Sequence, residues 1–378
     1  MRKTLFKVHS YLALVALLPL LVIAATGSVL VFKSELDALL LPGVAQLDHG
    51  PSASRRNINH LVALIKAELP EYEIGTWELF DDGFEADRVF LLKRGTADWY
   101  KVHLDPYEGR VLDGPQPLNS QLSDWLVQLH FTLLLNDLNG EHSQFGTLVG
   151  LVAAVLLMVL GITGLILHRK FWRNLLRLRW RQSARVFNGD LHRLVGAWSS
   201  PVVLVLGFTG AYFNTLEFYY EGFAHDDNGH AVVTGSLVAD SVDFEAMIET
   251  SKKQLAGFIP SYLMLPYEPA LQLTLFGYQP GRNPLASKYA SAITFDHHSG
   301  ELLQVSNGKN APALAKVTDS FRELHFGSFG GLPIKIVWSV LGFMPVILAA
   351  SGAYLWWRRT RTRAAKSAAA IDLHIKRS

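Results

Sequence analysis

Four of the 14 histidines lie at matching places in the sequence, where long apolar segments begin. His9 and His192 precede two such segments closely, and His130 and His325 each stand in a Leu-His-Phe triplet ahead of two others. Neutral imidazole is a good ligand for transition metals, and two histidines from facing helices can fill both axial positions of a haem iron. The four residues are therefore candidates for two bis-histidine sites.

Composition restricts the other chemistry that is open to this chain. Cysteine is absent, which excludes disulfides, thiolate metal sites, thiol catalysis and covalent haem attachment through CxxCH. The net charge is only +2, from 35 basic and 33 acidic residues, so nucleic acid is not an expected partner. No hydrolase triad order, Walker loop, HExxH or GxGxxG motif is found in the sequence.

The histidines are set among four segments that are long enough to cross a bilayer, which takes roughly 20 helical residues. The predicted spans are residues 10–32, 146–168, 194–216 and 333–357. Arg2, Lys3 and Lys7 resemble the basic start of a secretory signal, but the apolar run that follows is longer than a signal usually has. We therefore expect the first span to be retained.

Basic residues predict the orientation of these spans. Arginine and lysine dominate residues 169–193 and follow the last span in residues 358–378, so both segments and both termini are expected in the cytoplasm. The long segments 33–145 and 217–332 are acidic on balance and are expected outside, in the periplasm of a Gram-negative cell. The predicted location is the bacterial inner membrane, where the arginine-rich segment would meet lipid phosphates.

The chain also repeats itself. The distance from His9 to His192 equals that from Thr26-Gly27 to Thr209-Gly210, at 183 residues (192 − 9 and 209 − 26). Each half then carries a hairpin with Asp and Gly four residues apart, a Leu-His-Phe triplet, and a last span with Thr163-Gly164 or Ser351-Gly352. Five markers in the same order indicate two repeats related by an axis along the membrane normal.

The repeat defines the expected fold class, which is a membrane α-helical protein. Each outer segment opens with a helical stretch, at 57–69 and 243–256, and continues into strand-like runs. We expect a bundle of four transmembrane helices from two pseudo-symmetric repeats, with two small periplasmic α+β domains of one helix on a short sheet.

Pseudo-symmetry then places the four histidines as two pairs, one toward the cytoplasm and one toward the periplasm. Ionisable residues at such depths are costly and suggest function, so the pairs predict two b-type haems stacked across the membrane. The alternative is that these histidines only cap helix ends or meet lipid headgroups. His142 and His168 have no counterpart in the other repeat, and either could replace a ligand, His168 on the cytoplasmic side.

The small-residue pairs and the prolines have a packing interpretation. A glycine after Thr or Ser lets a helix, or a flat macrocycle, approach the backbone closely. Pro19, Pro201 and Pro345 lie inside predicted spans and are expected to kink them.

These motifs, together with Trp356-Trp357-Arg358-Arg359, resemble the PepSY-associated transmembrane family of iron-regulated membrane proteins. The hairpins that end in Gly109-Arg110-Val111-Leu112 and Gly300-Glu301-Leu302-Leu303 resemble the PepSY module itself, and the likeness covers the chain from His9 to about Arg363. Within the family the sequence is most similar to the inner-membrane ferric-siderophore reductases.

The resemblance implies a haem-dependent oxidoreductase that passes electrons outward to a ferric siderophore of the ferrioxamine type, a hydroxamate, and releases ferrous iron. The family motif carries over onto His9, His130, His192 and His325, with His168 leaving the cytoplasmic pairing open. Because no Rossmann-like pattern is present, electrons are expected from a quinol or a separate cytoplasmic donor.

Two other functions are compatible with four spans and outer domains. A component that transports the intact siderophore requires polar residues along the spans, and these are nearly absent apart from small hydroxyls and Asn214. A non-enzymatic regulator or assembly factor would use the outer domains to bind a partner and would carry no chromophore.

Overall fold

The computed structural model describes residues 2–138, 143–169, 176–221, 232–281 and 283–375, with side chains described up to residue 362. The chain forms two compact units, each made from segments of both repeats. The first, called here the helical unit, comprises Met1–Val31, Leu126–Ala224 and His325–Ser378. The second, the sheet unit, comprises Phe32–Trp125 and His225–Leu324.

Ten α-helices lie within the described ranges. They are α1 (Arg2–Val15), α2 (Leu17–Leu30), α3 (Lys33–Leu40), α4 (Ile58–Glu68), α5 (Leu122–Thr132), α6 (Phe145–Leu167), α7 (Ala184–Tyr219), α8 (Phe244–Gln254), α9 (Ala313–Phe326) and α10 (Gly331–Ile375).

Three of these helices are long and apolar enough to cross a membrane: α6, α7 and residues Gly331–Thr362 of α10. Helix α6 matches the predicted span 146–168 closely. Helix α7 begins ten residues before the predicted span, inside the expected loop 169–193, and α10 runs on through most of the expected tail 358–378. Residues 170–175 of that loop and 376–378 of the tail lie outside the described residues.

The first predicted span, 10–32, is not one straight helix. It is divided at Ala16 into α1 and α2, whose axes differ by 65°. Pro19 explains the break, because it has no N–H to donate to the carbonyl of Val15, the last residue of α1. Pro201 and Pro345 lie inside helices that continue past them, α7 and α10.

The helices of the helical unit pack through small residues while large apolar side chains point outward. A Cβ on Gly207 of α7 would lie 2.9 Å from Met158 Cγ of α6. Ser339 of α10 donates a hydrogen bond to the carbonyl of Ser28 in α2, at 2.8 Å. Leu18 is 71% exposed, and many other large apolar side chains of these helices are exposed as well. Such exposure is expected where lipid surrounds the helices.

Nine strands form one antiparallel sheet. They are β1 (Tyr72–Glu78), β2 (Asp87–Lys93), β3 (Trp99–Asp105), β4 (Arg110–Val111), β5 (Gln116–Pro117), β6 (Ile259–Met264), β7 (Leu273–Tyr278), β8 (Ser291–Phe295) and β9 (Leu302–Ser306). Their order is β4-β3-β2-β1-β6-β7-β8-β9, and β5 pairs with β3.

This sheet corrects the expectation of two separate outer domains. Strands β1 and β6, one from each repeat, pair directly with Trp77 opposite Leu263. Each repeat alone would leave this strand as an unpaired edge, and pairing the two satisfies both rows of backbone groups. The two segments therefore build one unit.

The two predicted outer helices are present as α4 and α8, and each caps the other. Asn59 donates a side-chain hydrogen bond to Asp243 at 2.7 Å and accepts one from the backbone N–H of Phe244 at 2.9 Å. One apolar core beneath them contains residues of both repeats, including the fully buried Trp77 and Phe295. The sheet unit therefore has a single core.

The predicted hairpins are confirmed. Strands β3 and β4 pair around the turn Asp105–Gly109, and β8 pairs with β9 around Asp296–Gly300. In each turn the glycine N–H donates to the aspartate carbonyl at 2.9 Å, and the glycine has positive φ, +68° and +73°. That conformation is the reason each turn needs glycine.

The first residues of α5 and most of α9 belong to the sheet unit, and each helix carries an aspartate six residues before its Leu-His-Phe histidine. Asp124 and Asp319 are separated by 195 residues, as are His130 and His325 (319 − 124 and 325 − 130). Asp124 pairs with Lys33 and with the buried Lys101. Asp319 accepts from the backbone N–H of Ser287 at 2.9 Å and from its hydroxyl.

Candidate functional site

The four candidate histidines belong to the helical unit and lie in four different helices. His9 is in α1 and His192 is in the third turn of α7. His130 and His325 are in the last turns of α5 and α9. Each repeat therefore contributes one histidine near the start of its first long helix and one at the end of a shorter helix.

Each imidazole is held through Nδ1 by a hydroxyl from a helix of the same repeat. The contacts are His9 with Thr163 at 2.8 Å, His130 with Thr26 at 3.2 Å, His192 with Ser351 at 2.9 Å and His325 with Thr209 at 2.8 Å. All four hydroxyls belong to the small-residue pairs that mark the repeat. The pairs therefore position the histidines, which is a role beyond helix packing.

The hydroxyl hydrogens determine the tautomer of the histidines. Every one of the four hydroxyls donates its hydrogen to the backbone carbonyl four residues earlier, for example Thr209 to Val205 at 2.8 Å. The hydroxyl oxygen can then only accept, so Nδ1 must carry the proton. His130 Nδ1 also lies 2.9 Å from the carbonyl oxygen of Ile23, which cannot donate. The lone pair is left on Nε2, the nitrogen available to a metal.

The glycine after each hydroxyl residue leaves room for the ring. A Cβ on Gly27 would lie 2.6 Å from His130 Cε1, a distance that no real structure tolerates without movement. A Cβ on Gly210 would be 3.4 Å from His325 Cε1, on Gly352 3.4 Å from His192 Cε1, and on Gly164 3.6 Å from His9 Cε1. In each small-residue pair, the hydroxyl therefore accepts a hydrogen bond from one imidazole and the glycine leaves space for the same ring.

The structure brings together one histidine from each repeat. The rings of His130 and His325 have centroids 6.2 Å apart and are inclined by 57°. Phe213 stands edge-on to His325 at 5.5 Å and stacks parallel to Phe326 at 6.4 Å. Of the two pairs predicted from the repeat, His130 and His325 therefore have their rings close together.

These residues fit a bis-imidazole haem iron. An iron–nitrogen bond of about 2 Å, with the ring centre roughly 1 Å beyond, places two opposed axial imidazoles about 6 Å apart between centroids. The separation of His130 and His325 has this value. Both have Nδ1 in contact with a threonine hydroxyl, which leaves Nε2 as the nitrogen that could bind iron.

The two competing histidines are placed differently. His168 is the C-terminal cap of α6, where its backbone N–H donates to the carbonyl of Gly164 at 3.0 Å. It is His9 whose ring lies against Gly164. His142 lies outside the described residues. The small-residue pair Thr163-Gly164 therefore positions His9.

The hydroxyl residues were predicted as repeat markers and not as histidine partners. Thr26-Gly27 and Thr209-Gly210 recur with the same 183-residue offset as the first histidine pair, but this spacing does not indicate which imidazole each hydroxyl contacts. Phe213, the aromatic residue beside His325, was not predicted either.

Comparison with known proteins agrees with this organisation. The model of the PepSY-associated TM region matches residues 6–359, which is nearly the whole chain. The chain belongs to the PepSY-associated transmembrane family. A membrane protein is the class that this match and the long apolar helices indicate. All four candidate histidines lie inside the matched PepSY-associated region.

A curated relative comes from Pseudomonas aeruginosa and is described as an uncharacterized protein. It is 25% identical over 232 residues, which cover 54% of this chain and 57% of the relative. The PepSY-associated chain thus spans little more than half the length of this relative.

Proposed function

We propose that the protein is a two-haem oxidoreductase of the bacterial inner membrane that carries electrons outward to a periplasmic ferric siderophore. Both termini face the cytoplasm in this proposal. The observation that carries it is the facing pair His130 and His325 at 6.2 Å, with Nδ1 of each ring bonded to a threonine. His9 and His192 form the corresponding second pair.

The histidines have defined roles in the proposal. His130 and His325 would hold an outer haem and His9 and His192 an inner one, and each haem would supply a reversible one-electron couple. Thr26, Thr163, Thr209 and Ser351 keep the proton on Nδ1, orient the rings and raise the basicity of Nε2. No side chain has to deliver a proton or a nucleophile.

The proposed substrate is a ferric hydroxamate of the ferrioxamine type. Hydroxamate oxygens are hard ligands that suit ferric iron, and one added electron converts it to ferrous iron, which they hold weakly. No organic bond forms or breaks. The electron is supplied by a quinol or by a separate cytoplasmic donor, because the sequence carries no nucleotide-binding fingerprint of its own.

Absorption spectroscopy of the purified full chain provides the first test. We expect a sharp b-type spectrum on reduction with dithionite and two haems per chain by the pyridine haemochrome method. Anaerobic addition of a ferric trihydroxamate should reoxidise the reduced protein, and a ferrous chelator should trap one iron per electron. Protein without haem would reject the proposal and favour a transporter component or a regulator.

Replacement of outer ligands gives the second test. His130→Ala and His325→Ala should each lower the haem content from about two per chain to about one, because each removes one axial ligand of the same iron. The matched control is His60→Ala, which changes an exposed histidine of the sheet unit. Unchanged haem content in both ligand variants would contradict the assignment of this pair.

A further inference from the structure

We propose that His49, Asp105 and Glu108 form a binding site for one divalent transition-metal cation in the sheet unit. Each residue offers one ligand atom, an imidazole nitrogen or a carboxylate oxygen, and the three atoms lie within 4.8 Å of one another. Among the described residues this is the one group of three or more such side chains. The site uses none of the four histidines of the helical unit.

The contact between His49 and Asp105 has nearly the spacing of two metal ligands. His49 Nε2 lies 2.8 Å from Asp105 Oδ2, and Asp105 is only 1% exposed. Two ligand atoms that bind one cation at about 2.1 Å stand roughly 3 Å apart. A cation can therefore replace the proton that the two side chains share with little movement of either.

The backbone around His49 is held in place before any cation binds. The His49 N–H donates to the carbonyl of Gly83 at 3.2 Å, and the Leu47 N–H donates to that of Phe84 at 2.6 Å. A Cβ on Gly83 would lie 1.9 Å from the carbonyl oxygen of Gly50, so the two segments are in backbone contact. The His49 ring also packs on Tyr107, with centroids 5.2 Å apart.

The hairpin turn delivers the third ligand. Asp105 Oδ1 accepts from the backbone N–H groups of Tyr107 at 2.9 Å and Glu108 at 3.0 Å, which leaves Oδ2 for His49. The Glu108 carboxylate is exposed and contacts only a similarly exposed Arg110, at 3.4 Å, among the ion pairs described for it. An exposed pair of this kind is weak, so Glu108 can turn toward a cation.

The second repeat has the turn without the ligands. Asp296 accepts from the backbone N–H groups of His298 and Ser299 at 3.0 and 2.7 Å, as Asp105 does in its own turn. Ser299 occupies the position of Glu108, since both follow their aspartate by three residues. The hairpin fold does not require a carboxylate there, and the triad is particular to the first repeat.

The ligand set indicates which cations the site takes. One imidazole with two carboxylates suits Fe²⁺, Co²⁺, Mn²⁺ or Zn²⁺ better than Ca²⁺ or Mg²⁺, which prefer oxygen alone. Three protein ligands leave positions for water or for a partner that accepts the ion. If the protein releases ferrous iron, as in the proposed function, the cation bound at this site is Fe²⁺. Only this choice of cation rests on the proposed function.

Cobalt binding tests the site without interference from haem iron. The full chain in detergent is dialysed against Co²⁺ and its bound cobalt is counted by mass spectrometry. We expect one saturable cobalt per chain, which Fe²⁺ displaces under anaerobic conditions and Mg²⁺ does not. His49→Ala and Glu108→Gln should each lower the affinity for cobalt at least ~10-fold. Loss of a residue that only contacts a metal ligand already lowers metal affinity by about that factor, and loss of a ligand should cost no less.

His298→Ala is the matched control, because it removes an exposed histidine from the turn of the second repeat. It should bind cobalt as the unaltered chain does. Equal cobalt in His49→Ala and Glu108→Gln, or loss only in His298→Ala, would overturn the site. Haem content and reoxidation by ferric hydroxamate are measured on the same samples, so failure of the proposed function is seen independently of cobalt.

Discussion

At the residue scale, the unit of construction is an imidazole with a hydroxyl-glycine pair from another helix. The hydroxyl fixes the proton on Nδ1, and the missing Cβ of the glycine admits the ring. The same unit occurs four times, twice in each repeat. A histidine that merely capped a helix or met lipid would not require both features.

Removal of one hydroxyl should weaken one haem selectively. In Thr209→Val the side chain keeps its shape but no longer accepts from His325 Nδ1, so the ring can rotate and change tautomer. We expect haem affinity at the outer pair to fall about 10- to 100-fold, as for other outer-shell partners of metal ligands. Thr209→Ser should retain the haem. Titration of haem into the apoprotein measures both, and equal affinity in the two variants would contradict the role of the hydroxyl.

The glycines should differ in their tolerance of a methyl group. Gly27→Ala places Cβ 2.6 Å from His130 Cε1, whereas Gly210→Ala places it 3.4 Å from His325 Cε1. We expect Gly27→Ala to lose the outer haem or shift its midpoint potential, because the ring must move. Gly210→Ala should stay close to the unaltered protein in redox titration, and the reverse order would contradict the geometry.

At the element scale, α5 and α9 each carry an aspartate that is bonded within the sheet unit. Asp124 in α5 pairs with Lys101, whose side chain is 3% exposed. Burial lowers the pKa of Lys101, and the Asp124 charge partly offsets that shift. The Asp124 carboxylate therefore offsets the cost of burying the Lys101 charge, and removal of either side chain leaves the other without its charge partner.

Asp124→Ala should destabilise the sheet unit by about 3–5 kcal/mol, because it leaves Lys101 buried without its charge partner. Asp240→Ala is the control, since its carboxylate is 98% exposed and faces Lys66 at 3.6 Å. Urea unfolding followed by tryptophan fluorescence measures the difference. A similar change in both variants would show that Lys101 is solvated.

Acid should destabilise the same element. Burial alone would raise the pKa of Asp124, but Lys33 and Lys101 outweigh it and hold that pKa below its ordinary value. A carboxylate with a depressed folded-state pKa contributes stability above its unfolded pKa of about 3.9, and the contribution is lost as the pH falls through the folded value. Unfolding measured from pH 6 to 3 should show this loss, and Asp124→Asn should show a shallower dependence.

At the scale of the whole molecule, both repeats contribute to each unit. In the sheet unit the seam is the β1–β6 pair, and one apolar core runs beneath it. In the helical unit the facing histidines 130 and 325 come one from each repeat. A single repeat would therefore have an open sheet edge and half of a bis-histidine pair.

The single core predicts that the sheet unit unfolds cooperatively. Trp77 is fully buried at the seam, and its indole N–H donates to Asp87 at 2.7 Å. Trp77→Ala should cost about 3–5 kcal/mol and destabilise both halves together. Trp180→Ala, which changes a residue 74% exposed, is the control. Hydrogen exchange should show β2 and β7 losing protection together, and retention in β7 alone would indicate two independent domains.

The sequence by itself determined the features that depend on nearby residues. Apolar run length located α6, α7 and α10, Asp and Gly four apart located both turns, and recurrence of the same markers singled out His9, His130, His192 and His325. Hydrophobic periodicity and turn chemistry depend on residues that are close together in the chain, so they can be recognised from the sequence alone.

Only the tertiary structure decided which distant groups meet. His130 and Thr26 are 104 residues apart, and nothing local indicates that the hydroxyl of one helix will hold the imidazole of another. The β1–β6 seam and the approach of His49 to Asp105 likewise depend on how separate elements pack. The 65° bend at Ala16 depends on local sequence and on tertiary packing together. Pro19 removes one hydrogen bond locally, and the packing of α1 and α2 sets the direction of each helix.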